Sequence, residues 1–291
     1  MDRHPDPTLI QSIETLSFKE YLNALSLNTS QDLNKEKAFK RYLHFGALPK
    51  TVELEKASEV REYVESRYGT LLLEGIALSK PRTNMQAYLS FLDYIAENLG
   101  TLMSPGSLEG ELEKKEVSVT KNTIVEYLNL AFEGDLLCLA KRINLRTGDI
   151  LTRGEKYYFK DLGLKYFLER KVPREEEYEA LVENAIYLEL SRKYDKVLVG
   201  KLGRYTIDFV CSNDGAYNGC AKRHYYQIVR DPLELDEKNE RIAALLIIRD
   251  NFPKTLLTLD RAEEDCIAGL KCEYVLDWLL ERTVTKSLAC K

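Results

Sequence analysis

Apolar positions recur through the first 80 residues at the three-and-four spacing of helices. Phe18, Tyr21, Leu22 and Leu25 make one stripe. A second helix over 38–45 stops at Gly46, a residue that tolerates the left-handed conformation common at helix ends, and Pro49 follows it. Residues 28–34, between the two, are polar and turn-like. A longer helix over 60–77 closes at Lys80-Pro81. The pattern restarts with Tyr88, Leu89, Leu92 and Ile95, a stripe that ends at Gly100. Ser107 opens a short charged helix over 108–116. Beyond Val117-Ser118-Val119, Thr120 caps a helix carrying Ile124, Tyr127, Leu128 and Ala131. The period then drops to two, with β-like runs over 136–145 and 155–160 around Arg146-Thr147-Gly148-Asp149. Three helices and a two-stranded ribbon are the order of a winged helix.

A third stretch begins near Pro173. Residues 175–193 read as a helix apolar on nearly every side, and hence buried on two sides. Strands follow over 197–202, 204–211 and 224–230, the last two separated by the turn chemistry of Asp214-Gly215-Ala216-Tyr217-Asn218-Gly219. A helix over 235–249, a strand over 255–259 and a closing helix over 274–282, with Trp278, complete the chain. The pattern predicts a mixed α/β protein in three parts: a helical adapter (1–80), a winged-helix domain (81–172) and an α/β domain (173–291).

Composition narrows the classes. The 291 residues suit about two domains at roughly 100–200 residues each. Hydrophobic residues make up 44% and charged residues 31%, which excludes a disordered or collagen-like chain. Forty-two bases against 47 acids leave a net charge of −5, so any attraction for nucleic acid must be local. The N-terminus lacks the basic-then-apolar order of a signal peptide, and no apolar run approaches the ~20 residues of a membrane span. The six cysteines form no C-x-x-C pair, and Cys138 and Cys211 lie in apolar runs, as reduced core thiols do. The expectation is a cytoplasmic protein with no membrane partner.

Several chemistries drop out. None of the 15 glycines has the spacing of a phosphate-binding P-loop, and no two are one residue apart, which removes the dinucleotide fingerprint as well. Three scattered histidines (His4, His44, His224) do not suggest an all-protein zinc site. Ser118-Val119-Thr120-Lys121 matches the S-x-x-K of penicillin-binding enzymes but sits at a helix cap without the companion motifs, and is read as coincidence.

Buried acids remain. Glu183 shares a helix face with Ile186, Tyr187 and Leu190, and Asp208 lies within the apolar strand Tyr205-Thr206-Ile207-Asp208-Phe209-Val210-Cys211. Gln227 follows on the next strand, with Val229 on its face. Helix-Glu, strand-Asp, strand-Gln-x-Val, helix, strand resembles the PD-(D/E)xK nuclease superfamily. The resemblance implies a restriction-endonuclease-like fold with Glu183 and Asp208 as magnesium ligands, and Gln227 where a third acid would stand. Val229 occupies the lysine position, for which Lys201 is a candidate substitute. The plainer alternative is that Glu183 bridges to a base such as Arg204 and Asp208 fixes the strand.

Longer runs carry a second resemblance. Leu16-Ser17-Phe18-Lys19-Glu20-Tyr21-Leu22, Tyr42-Leu43-His44-Phe45-Gly46-Ala47-Leu48-Pro49, Lys156-Tyr157-Tyr158-Phe159-Lys160-Asp161-Leu162-Gly163-Leu164, Leu181-Val182-Glu183-Asn184-Ala185 and Asp277-Trp278-Leu279-Leu280 are collinear with the C-terminal half of a bacterial and archaeal family of predicted AAA-type ATPases. Members carry a P-loop domain ahead of a winged helix and a nuclease-like domain. The resemblance implies a truncated ATPase or a chain working with a separate one, without ATP hydrolysis of its own.

Three functions stay open. One is a nucleic-acid binder: nine bases against four acids between Lys141 and Lys171, with Tyr157 and Tyr158, suit a phosphate backbone. The candidate surface is Lys121 and Asn122 on the recognition helix, with Lys141, Arg142, Arg146, Arg153, Lys156 and Lys160 on the wing. The second is a magnesium- or manganese-dependent endonuclease using Glu183 and Asp208. The third is a protein-interaction module whose Phe18, Tyr21, Tyr42 and Phe45 bury against an ATPase domain and otherwise promote a homo-oligomer. The expectation is a non-catalytic binding role for DNA or a protein partner within an ATPase system.

Overall fold

A computed structural model describes residues 14–28, 34–78, 84–171, 173–213, 222–230, 238–261 and 266–281. The 214–219 turn, the Lys80-Pro81 closure, His4, Cys220 and Cys290 lie outside the described residues. The protein is mixed α/β, as its periodicities predict, but it divides into two compact units rather than three. Unit 1 takes Met1–Leu139 and Tyr157–Glu175; unit 2 takes Ala140–Lys156 and Glu176–Lys291.

Unit 1 is helical. In chain order it contains α1 (Phe18–Asn28), α2 (Lys35–Phe45), α3 (Ala57–Leu78), α4 (Met85–Glu97), α5 (Pro105–Lys114), α6 (Lys121–Glu133) and α7 (Leu162–Glu169). Local chemistry sets the boundaries. Asn34, Asn84 and Thr120 accept the exposed N–H groups at their helix starts. Ser104 and Ser107 cap α5 reciprocally, so that helix starts at Pro105 rather than at Ser107. The aromatics Phe18, Tyr21, Tyr42 and Phe45 are all buried, and Phe18, Tyr21, Phe39 and Tyr42 meet mostly edge-on, with centroids 4.8–6.2 Å apart. The expected exposed aromatic patch is therefore absent: these rings make the unit's own core.

α7, an eight-residue helix too short to show a clear period in the sequence, packs against α2, α3 and α4. Its N-cap, Asp161, is 2% exposed and fully used. One carboxylate oxygen accepts from Ala47 N–H at 2.5 Å; the other accepts from Tyr68 Oη at 2.5 Å and Gly163 N–H at 3.2 Å. Gly46 ends α2 at φ 78°, and a Cβ there would overlap the Asp161 carboxylate. Glycine is thus required at Gly46 by both conformation and space.

Unit 2 is built on a sheet. Among the described residues eight strands, β1 (Leu137–Asn144), β2 (Ile150–Phe159), β3 (Lys196–Leu202), β4 (Tyr205–Ser212), β5 (Arg223–Val229), β6 (Lys254–Thr258), β7 (Cys266–Ile267) and β8 (Leu270–Tyr274), run in the order β2-β1-β3-β4-β5-β6-β8-β7. The β3–β4 and β4–β5 pairs are antiparallel, and β1–β3, β5–β6 and β6–β8 are parallel. Three helices pack on it: α8 (Tyr178–Lys193) on β3, α9 (Lys238–Leu246) on β4 and β5, and α10 (Val275–Leu280) on β6 and β8. Every residue from Leu181 to Leu190 is buried, matching the all-round apolar helix.

The ribbon read as a wing has another place. Its distal part, residues 140–156, belongs to unit 2, where β1 lies parallel to β3 with Asn144 opposite Lys201. Ile143 and Leu145 pack into the unit 2 core. Gly200 permits this approach, because a Cβ there would lie 2.8 Å from Val210 and 3.3 Å from Leu145. Period-two alternation marks a strand with one apolar face but not the sheet it joins.

His224 anchors a second polar network. Its Nε2 meets Thr255 Oγ1 at 2.9 Å, and its Nδ1 lies 3.1 Å from Tyr194 Oη and 3.2 Å from Tyr226 Oη. Burial, then the Lys271 charge, pushes the imidazole down to about 4. The folded state therefore binds this proton less readily than the unfolded chain does.

Two expectations follow from these buried groups. Asp161→Ala leaves several buried donors unmet and lowers stability by roughly 3–5 kcal/mol in chemical denaturation, with Asp161→Asn intermediate. His224 contributes stability that is present above pH ~6.5 and lost as pH falls towards 4. Thermal melts of the wild type and His224→Gln should converge over that acid window, and parallel pH profiles would reject the assignment.

Candidate functional site

The candidate site lies on unit 2, where β4 and β5 part. Their ladder runs from Ser212 opposite Arg223 to Phe209 opposite Tyr226. At the next pair side chains take over. Asp208 N–H donates to Gln227 Oε1 at 3.3 Å, and Ile228 N–H donates to Asp208 Oδ2 at 2.9 Å. Arg241, on α9, donates to the Ile228 carbonyl at 2.6 Å. The backbone groups that separation exposes are thus met by side chains.

Both acids have cationic neighbours. Lys156, on β2, donates to Glu183 Oε1 at 2.8 Å, with 8% and 11% of the two side chains exposed. Burial opposes the Lys156 charge, but the nearby Glu183 and Asp208 carboxylates outweigh it and hold its ammonium above the ordinary lysine range. Arg241 lies 2.8 Å from Glu179 and 3.8 Å from Asp208. Burial is again the largest influence on Arg241, and it too is outweighed by carboxylates, those of Asp208, Glu179 and Glu183. Three acids and two bases therefore form one network that neutralises most of its own charge.

Three oxygens that a magnesium ion would use are already engaged: Glu183 Oε1 by Lys156, Asp208 Oδ2 by Ile228 and Arg241, and Gln227 Oε1 by Asp208. Among the described residues, no three His, Cys, Asp or Glu side chains assemble as metal ligands. Lys201 is exposed on β3 opposite Thr206. The base beside Glu183 is Lys156, not Arg204, which is exposed and stacks on Tyr205.

The expected nucleic-acid residues are divided. Lys121, Asn122 and Lys160 belong to unit 1, where Lys160 meets Asp135 at 3.2 Å. Lys141, Arg142, Arg146, Arg153 and Lys156 belong to unit 2. Lys156 is buried, and so is Lys165, which bonds Ala96 O and Glu169. Neither can serve a phosphate surface.

Lys156, expected on the nucleic-acid surface, instead belongs to the acid cluster, and Arg241 and Glu179 are site residues that the sequence pattern did not single out. Lys156 opens a run of β2 that is buried from 156 to 159, and Arg241 lies three and four residues before the buried Ala244 and Leu245 on α9.

Comparison with known proteins adds similarity without function. Residues 36–175 match a family described as a domain of unknown function, DUF8612. An uncharacterised protein of Haemophilus influenzae is 29% identical over 270 residues, covering 92% of this chain, and the aligned part spans 64% of that relative's length. No solved structure is a significant match. Among the described residues, no helix is long and apolar enough to cross a membrane.

Removing one partner of the Lys156–Glu183 pair strands a buried charge. Lys156→Met should lower unit 2 stability by about 3–5 kcal/mol in urea titration, and adding Glu183→Met should restore most of it. A loss below about 1 kcal/mol would mean that the pair behaves as a surface pair.

Proposed function

We propose that this chain is a non-catalytic, nucleic-acid- or partner-binding part of an AAA-type ATPase system, and that unit 2 descends from PD-(D/E)xK nucleases. The order α8-β3-β4-β5-α9-β6, with Glu183 on the helix, Asp208 on the second strand and Gln227 on the third, supports the ancestry. The Haemophilus relative extends beyond the aligned segment, as a chain with an added ATPase domain would. The reading keeps the chain in the cytoplasm, consistent with Cys211, which is buried in the apolar strand β4.

One observation carries the non-catalytic assignment: Lys156 and Arg241 take up the carboxylates a nuclease would offer to metal. A metal ion at Glu183 would compete with a buried ammonium, and at Asp208 it would share the carboxylate with the Ile228 amide and lie near a second cation, Arg241. The competing reading, a metal-dependent endonuclease, gains from Lys156, which brings to the acid pair the lysine absent at Val229. It loses on Gln227, whose carbonyl is already bonded, and on Arg241, a second cation facing the acids.

Supercoiled plasmid incubated with the protein and millimolar Mg²⁺ or Mn²⁺ should remain supercoiled. Nicking that disappears in Glu183→Gln would establish the endonuclease instead.

A further inference from the structure

Six cations of unit 2 that the acid cluster does not use lie on the β1–β2 hairpin and at the β3–β4 turn. The parallel β1–β3 pairing is what assembles them. Asn144 lies opposite Lys201, and Leu145 N–H donates to the Lys201 carbonyl at 2.9 Å, so the 145–149 turn ends beside the β3–β4 turn. Gly203, in that second turn, has φ 62°, and its Cβ position would lie 3.6 Å from Arg146 Nη2. Arg204 follows, its guanidinium 5.0 Å from the Tyr205 ring centroid and bonded to Tyr205 Oη at 3.1 Å. Arg146, Lys201 and Arg204 are all exposed.

Further along the hairpin, Arg142 donates to the Arg153 carbonyl at 3.4 Å, while its Nε is buried without a hydrogen-bond partner among the described residues. Lys141 and Arg153 are exposed beside it. Six bases (Lys141, Arg142, Arg146, Arg153, Lys201, Arg204) thus face two acids of the hairpin, Asp149 and Glu155, and Glu240, whose charge reaches Arg204. This is a concentrated positive edge on a chain of net charge −5.

We infer that this edge binds a nucleic-acid phosphate backbone, with Arg146, Lys201 and Arg204 at its centre. The chemistry favours phosphate over a carboxylate-bearing protein surface. Four of the six bases are arginines, whose planar forks match phosphate as well as carboxylate oxygens, so the choice rests on the groups around them. The exposed hydroxyls of Thr147, Thr152 and Thr206 are neutral donors suited to the same oxygens. Tyr205, held under Arg204, supplies a ring beside the backbone track. No base-reading helix is involved, so binding is expected to be insensitive to sequence. The inference deepens the binding role proposed above and rests on that reading, but not on the state of the acid cluster.

The test is fluorescence anisotropy of the full chain with a labelled 20-bp duplex DNA and with a 20-nucleotide RNA, across a salt series. Arg146→Glu/Lys201→Glu/Arg204→Glu is compared with Lys196→Glu, an exposed base at the opposite end of β3. The triple variant should bind at least one of the two probes about tenfold or more weakly, and its salt slope on duplex should fall by about 3, while Lys196→Glu stays near wild type. The milder Arg146→Ala/Arg204→Ala variant should weaken binding in the same direction, and unchanged melting curves show that both variants fold. Equal binding by wild type and triple variant, an equal loss in Lys196→Glu, or binding to phosphatidylserine vesicles without binding to either probe would overturn the inference. Plasmid nicking by the wild type would overturn the non-catalytic reading alone, whereas loss of the charge effect in anisotropy overturns only this edge.

Discussion

A buried ammonium must bring its counter-charge with it, and Lys156 does so through Glu183. That pairing fixes much of unit 2. It requires β2 to run alongside β1 far enough to place residue 156 near α8, and it fills the ground between the helix and the parted strands with fixed charge. Desolvating two ions is expensive, and attraction between them offsets that cost only with good geometry and further hydrogen bonds. The neighbourhood supplies these: Asp208 takes the Ile228 amide, Gln227 takes the Asp208 amide, and Arg241 takes the Ile228 carbonyl. A divalent cation would compete with these groups for the same atoms.

Unit 1 solves a similar problem on a smaller scale. The carboxylate of Asp161 starts α7, closes the loop after α2 through the Ala47 amide and anchors the Tyr68 hydroxyl inside the helical core. A tyrosine hydroxyl buried at that depth needs an acceptor, and burial together with the Asp161 charge holds its proton on well above the ordinary range. Gly46 completes the arrangement by leaving room for the carboxylate. In each unit, buried acid side chains meet buried donors from separate elements.

Much of the fold was legible. Helix starts at Asn34 and Thr120 and the stop at Gly46 follow from side-chain chemistry that acts within three or four residues. The αβββαβ order was legible too, because α8 is apolar on all sides and β4 and β5 are nearly continuous apolar runs. What escaped depends on distance along the chain. Whether a ribbon pairs with the helices before it or with a strand some 55 residues later is not encoded in its own alternation. The small α7 and the short β7 and β8 carry too few periods to stand out. In the site, the unusual acids Glu183 and Asp208 were visible because acids in apolar stretches are conspicuous. Their partners were not, since a lysine in a basic ribbon looks like every other lysine until its side of the strand is known.

The parallel seam between β1 and β3 also bears on how the polypeptide can be cut or inherited. Unit 2 is discontinuous: residues 140–156 complete it from within the earlier half of the sequence. A fragment beginning at 176 would bare the β3 margin, inviting adventitious strand pairing, and would strand Glu183 with no ammonium beside it. The matched family segment, 36–175, likewise ends after the ribbon and before α8, so it contains residues 140–156 of unit 2 without the rest of that unit. The two halves are thus not interchangeable cassettes, and recombination at that boundary would separate a strand from the sheet it completes.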